Sequence, residues 1–328
     1  MRALVTGAAG QDGTILSARL CREGAEVFAV LKPGSDASEY VRYAPTATVV
    51  ERDLADADGL HRLVLDVEPN EIYNLGGVSS IMESVNNPEM TIQVNVDAVR
   101  SLVAGIRELQ MKGTVETRLL EAASGTVFEG ADRSPQTERS DFSPETPYAR
   151  SKAMAIQLLD EARRDGLFTV SAILYNHESP LRGDRFVTRK ITKAVARIAA
   201  GLQDVVELGD IEVARDWGWA PDYVTGMRSM LAAPEPKDFI LATGISHRLS
   251  FFIKKAFEAA GVSDWRDHVV ADTPQGRPVD TNILVGDSRA AYKELGWRHT
   301  VDFDSMAKAM VEYDMALLGD PEALWAIP

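Results

Sequence analysis

Val5–Gly13 reads VTGAAGQDG and begins in the last two residues of the short β-forming run Met1–Thr6. Gly7, Gly10 and Gly13 fall three residues apart, and an apolar helical pattern continues from Ile15 to Leu20. A strand, a glycine turn and a helix form the context that a dinucleotide site requires. Glycines permit a tight turn and a close backbone approach, and the helix N-terminus faces a pyrophosphate. Gly7, Gly10, Gln11, Asp12 and Gly13 are therefore candidate cofactor-binding positions.

The pattern repeats outward along the chain. A second strand, AEVFAVLK, ends at Lys32 before Pro33, Gly34 and Ser35. An NAD-selective site usually places Asp or Glu at that strand end to hold the ribose hydroxyls. Lys32 with Ser35 favours a 2′-phosphate instead, so NADP is the expected cofactor and NAD the alternative. A third strand, ATVVERD, delivers Asp53 and Leu54 towards an adenine edge. A helix over Leu60–Val67 precedes a fourth strand, EIYNLGG, which exits at Leu75 and Gly76. A long helix runs from Pro88 to about Leu109, and TRLLEAAS is a fifth strand closing at Ser124. Strands alternating with helices predict a parallel, doubly wound α/β sheet with its ligand at the strands' carboxyl ends. FTVSAILYNHES is a further buried strand, leaving the sheet at Asn176. Beyond it come a basic loop, a helix from about Thr188 to Ala200, a helix starting near Pro221 and a strand at Phe239–Thr243. Helices at Leu249–Ala260 and Asp304–Leu318 complete a smaller lobe. The expected division is a cofactor domain of 1–175 plus about 213–245, and a second lobe of 176–212 and 246–328.

Bulk properties narrow the function class. The 328 residues carry a net charge of −14 and a pI near 4.9, which argues against nucleic acid as a general partner. Any anionic ligand must be held by local Arg and Lys. Cys21 is the single cysteine, so no internal disulfide forms and a reducing compartment fits. No apolar run reaches the length of a membrane span, and no metal-ligand cluster stands out. The first residues already read as strand and turn, which predicts no signal peptide and a cytoplasmic protein.

The chemistry concentrates between Glu121 and Lys152. Tyr148 and Lys152 lie four residues apart at the start of a helical segment, which stacks them on one face. A phenol beside an ammonium has its anion favoured and can act as a base near neutral pH.

In these words the chain resembles the extended short-chain dehydrogenases, and within them the GDP-mannose 4,6-dehydratase family. VTGAAGQDG, EIYNLG, PYARSK, LYNHESPLRG, FVTRKI, ARDWGWAPDYV and RPVD carry the resemblance, in order, over nearly the full length. It implies a Rossmann sheet with a smaller α/β substrate-binding lobe, NADP, and a nucleotide diphosphate sugar, a GDP-sugar above all. Tyr148 and Lys152 would be the catalytic pair, with the Ser124 hydroxyl beside them and Lys152 on the nicotinamide ribose. Asn176, Lys190, Arg215 and Arg277 would contact the sugar nucleotide. A homodimer or homotetramer is implied; the family's arginine-rich tetramer segment is replaced here by Lys32-Pro33-Gly34.

One word departs from the family. After the fifth strand the dehydratases carry Ser-Thr-Ser-Glu-Leu-Tyr-Gly, whose glutamate falls where this chain has Thr126. Removing the carbon 5 proton and helping the carbon 6 hydroxyl leave needs a base and an acid, and a threonine is neither at neutral pH. SGTVF resembles the Ser-Ala-Thr-Val-Tyr of nucleotide-sugar 4-epimerases, which oxidise carbon 4 and return hydride to its other face. Three readings stay open: a dehydratase drawing its carboxylate from Glu129 or Glu121, a 4-epimerase, and a non-catalytic sugar-nucleotide binder.

Overall fold

The computed structural model describes residues 1–271 and 284–328. Seven parallel strands form the main sheet: β1 (Arg2–Thr6), β2 (Glu26–Leu31), β3 (Thr48–Glu51), β4 (Glu71–Asn74), β5 (Arg118–Ser124), β6 (Phe168–Leu174) and β10 (Phe239–Leu241). Their order is β10-β6-β5-β4-β1-β2-β3. The chain winds outward from β1 to β3 and then returns to β4 on the other side of β1. That reversal places a crevice between β1 and β4 at the carboxyl end.

Strand alternation decides what each face buries. In β1, Ala3 and Val5 point into a core shared with α1 (Gln11–Arg22), α2 (Ser38–Tyr43), α9 (Ala220–Ala232) and α11 (Arg289–Leu295). Leu4 points the other way, against α3 (Ala57–Val67), α6 (Ala98–Lys112) and α7 (Pro147–Arg164). Between β4 and α6 lie α4 (Ile81–Asn86), α5 (Pro88–Ile92) and a π-helical turn, Gln93–Asp97. The expected single helix from Pro88 is therefore interrupted. The π turn inserts an extra residue that points buried Asn95 inward, a device frequent at functional sites.

FTVSAILYNHES serves two sheets. Its first part is β6; after Tyr175 the chain enters β7 (Asn176–Glu178), which pairs with β9 (Ala214–Trp219), itself paired with β11 (Ser246–Arg248). The segment 213–245 is thus shared: β9 lies in this three-stranded sheet, whereas α9 and β10 pack on or in the main one. β8 (Val206–Leu208) pairs with β12 (Val269–Ala271), and α8 (Val187–Ala199), α10 (Leu249–Ala259) and α12 (Phe303–Gly319) supply a second apolar core. Among the described residues, no helix is long and apolar enough to cross a membrane, and no cluster of His, Cys, Asp and Glu is placed to hold a metal.

Candidate active site

The glycine turn sits on the crevice. Gly7 has φ +63°, and a Cβ there would come within 2.6 Å of Gly76 Cα at the exit of β4. A Cβ on Gly13 would meet Gly7 O at 2.4 Å, so α1 packs directly on the turn. Leu54 in turn lies over Gly76. Gly10 caps α1 without a side-chain hydrogen bond, leaving the first-turn N–H groups and the positive end of the helix dipole for an anion. Backbone of this kind, at the switch point of a doubly wound sheet, fits a dinucleotide pyrophosphate.

Gln11 and Asp12 have a further task. Gln11 Nε2 donates to His177 O at 3.0 Å, and its Oε1 accepts from Ser179 Oγ at 2.8 Å. Asp12 Oδ2 lies 2.8 Å from His177 Nε2, and the imidazole stacks on Tyr223. The helix that would face the pyrophosphate is thus tied to the NHES word of the second lobe. Burial works against charge on both partners, but their mutual attraction prevails: Asp12 is held below its ordinary value and His177 above. His177 then contributes stability that is full below its unfolded value of 6.5 and lost as pH rises through the raised folded one. Asp12 contributes above 3.8 and loses it as pH falls through its lowered value, so the pair supports the fold most between these limits. Thermal midpoints should fall as buffer is taken from about pH 6 to about pH 8, and His177→Asn should flatten that slope. Equal slopes in both proteins would contradict the assignment.

Helix α7 delivers the Tyr–Lys pair. Thr146 caps it, accepting from Ala149 N at 3.2 Å, and Pro147 opens its first turn. Tyr148 is half-buried, with its N–H on Ser84 Oγ at 3.2 Å. One turn on, Lys152 is buried and donates to Glu121 Oε1 at 2.8 Å and Ala122 O at 2.7 Å. Asn95, from the π turn, holds the backbone of Val78 on both sides and donates to Ser151 Oγ at 2.9 Å. Ser151 then donates to Tyr148 O at 2.7 Å. Neither Asn95 nor the Glu121 pairing emerged from motif spacing; an asparagine inside the apolar run IQVNVDAV was the available signal.

Ser124 ends β5 and accepts from Thr126 N at 3.3 Å and Thr126 Oγ1 at 3.0 Å. With its lone pairs so occupied, the Ser124 hydroxyl proton is left to donate elsewhere. The two nearby carboxylates are both hydrogen-bonded. Glu121 is fully buried behind Lys152 and also accepts from Asn74 Nδ2, and Glu129 accepts from Thr146 N and Oγ1 at 3.2 and 3.1 Å.

The remaining expected positions scatter more widely. Lys32 and Asp53 are exposed at the ends of β2 and β3, strands that lie side by side; Asp53 accepts from Ala55 N at 2.9 Å. Leu75 is half-buried beside Gly7. Asn176 and Arg215 share the three-stranded sheet, where Asn176 pairs with Trp217 and Arg215 Nη1 donates to Ala214 O at 2.8 Å. Exposed Lys190, on α8, donates to Glu207 O at 2.6 Å. Arg277 lies outside the described residues.

A family description, GDP-mannose 4,6 dehydratase, matches residues 4–310. The chain is 36% identical to GDP-mannose 4,6 dehydratase 1 of Arabidopsis thaliana, with 96% of this chain and 90% of the relative covered. It is 35% identical to the GDP-mannose 4,6-dehydratase of Sinorhizobium fredii, over 96% and 97% of the two chains. The chain belongs to the GDP-mannose 4,6-dehydratase family. Its backbone also superposes on UDP-glucose 4-epimerase of Thermotoga maritima, with a TM-score of 0.84 at 23% identity and 97% and 100% coverage. That likeness speaks to the fold.

Proposed function

We propose that this chain is a nicotinamide-dinucleotide enzyme that oxidises carbon 4 of a GDP-mannose-type nucleotide sugar. The observation that carries the reading is a Tyr148–Lys152 pair at the carboxyl end of β5, beside the switch-point glycine crevice, in a chain of the dehydratase family. Tyr148 takes the proton from the carbon 4 hydroxyl. The Ser124 hydroxyl donates to the same oxygen, and Lys152 holds the nicotinamide ribose and steadies the tyrosinate that serves as base. The cofactor supplies the hydride acceptor. Asn176, Lys190, Arg215 and Arg277 are the proposed contacts to the diphosphate and sugar, where arginine's fork suits paired phosphate oxygens.

A second outcome after oxidation is favoured by one observation. Thr126 uses its hydroxyl on Ser124, and Glu121 and Glu129 are both engaged elsewhere. A threonine where the dehydratase word carries its glutamate, with both nearby carboxylates already hydrogen-bonded, favours return of hydride, as in a 4-epimerase, over loss of water. GDP-mannose carrying deuterium at carbon 4 should turn over more slowly than the protiated sugar. No cofactor reduction and no change of the sugar with any nucleotide sugar would leave only a non-catalytic binder.

NADP is the proposed cofactor, because Lys32 stands exposed at the end of β2 where an acidic residue would repel a 2′-phosphate. NADPH should bind about tenfold more tightly than NADH, and Lys32→Asp should reverse the order; calorimetry that finds equal affinities would count against Lys32. A cytoplasmic homodimer is proposed as the working form. Light scattering should give twice the chain mass, and a monomer at micromolar concentration would refute it.

A further inference from the structure

We propose that Glu121 is a positioning residue for the Tyr148–Lys152 pair: its carboxylate anchors the Lys152 ammonium and keeps it charged, setting the upper end of the pH range in which the pair works.

The geometry makes Lys152 an ion pair rather than a lone cation. Glu121 is 0% exposed and Lys152 5%, so neither charge is screened by water. Two of the three ammonium N–H groups go to Glu121 Oε1 and Ala122 O, leaving one for the ribose or phenol side. The second carboxylate oxygen accepts from Asn74 Nδ2. Asn74 Oδ1 accepts from Thr6 Oγ1 at 2.6 Å, and Thr6 Oγ1 accepts from Gly76 N at 3.1 Å. Gly76 is the residue against which Gly7 packs. One hydrogen-bonded chain therefore runs from the catalytic lysine to the cofactor turn, beneath the carboxyl ends of β5, β4 and β1.

Among the described residues, the titratable groups that bear on Lys152 are Glu121 from β5 and Tyr148 from its own helix, and Lys152 alone bears on Glu121. Glu83 of α4 faces Arg185, and Glu129, after the turn that follows β5, is bound to Thr146. Burial works against charge on both partners: it keeps the Glu121 carboxyl above its ordinary value, whereas on Lys152 the pull of the Glu121 carboxylate prevails over burial and raises it. Removing that carboxylate lowers the pH at which Lys152 gives up its proton, so the alkaline edge of the activity window moves in the acid direction.

This inference rests on the Tyr–Lys reading of the site, and two measurements keep the two separable. In Glu121→Gln, which preserves size and an acceptor for Lys152, the midpoint of the alkaline limb of kcat/KM should move down by about one pH unit. Glu121→Asp, which keeps the charge, should retain a midpoint near that of the wild type. A folded Glu121→Gln enzyme with an unmoved midpoint, or a Glu121→Asp midpoint displaced as far as that of Glu121→Gln, would overturn the proposal. The second measurement needs no turnover and no Glu121 variant. With 15N-labelled lysine, the wild-type spectrum should show one ammonium, absent in Lys152→Arg, that titrates above the surface lysines. A Lys152 titrating with or below them would overturn the proposal even if the functional reading stood.

Discussion

Tyr148→Phe is expected to lower kcat for sugar oxidation by about 10²- to 10⁴-fold while leaving the fold intact. The phenol oxygen is the one group in the first turn of α7 that can take a proton from the sugar hydroxyl. Its backbone place does not depend on that oxygen: Thr146 and Pro147 start the helix, Ser84 receives the Tyr148 N–H, and Asn95 and Ser151 brace the carbonyl. Thermal midpoint and cofactor affinity should therefore stay near wild type. Residual turnover above about a tenth of wild type would remove Tyr148 as the base.

Thr126→Glu is expected to raise the rate of water loss from GDP-mannose by about 10²-fold. The substitution restores a carboxylate at the position where the dehydratase word carries one. Thr126 is half-buried on the turn directly after β5, next to Ser124, so the new side chain would start beside the reacting sugar. The variant gives up the Oγ1 hydrogen bond to Ser124 but keeps that from its backbone N–H, so oxidation should fall by less than elimination rises. Mass spectrometry of the product pool reads the ratio directly. A variant that oxidises carbon 4 yet eliminates no faster than wild type would show that Thr126 is not what limits dehydration.

The legible part of this molecule was its periodic and punctuated part. VTGAAGQDG between a strand and a helix predicted β1, α1 and the crevice, because glycine spacing and hydrophobic period are local signals. The helices after Thr188, Pro221 and Leu249 were legible for the same reason. Tyr148 and Lys152 could be placed on one face of α7 from their spacing alone. What spacing could not show was what Lys152 meets. Its pairing with Glu121 joins a helix to a strand across 31 positions, and such contacts exist only once the sheet has formed. The His177–Asp12 contact, 165 positions apart, is hidden for the same reason. The π turn at Gln93–Asp97 was missed because an apolar helical pattern continues through it; one buried polar residue, Asn95, was the only mark. The break of FTVSAILYNHES into β6 and β7 was likewise invisible, since both pieces are strand-like and the change of sheet at Tyr175 is tertiary.

Oxidation retained and elimination weakened is the central claim, and the wild-type product decides it. The enzyme should be incubated with GDP-mannose and NADP, and the product followed by mass and by NMR at carbons 4 and 6. The account predicts a nucleotide sugar altered at carbon 4 that still carries its carbon 6 hydroxyl. Prompt loss of one water by the wild-type enzyme would contradict it.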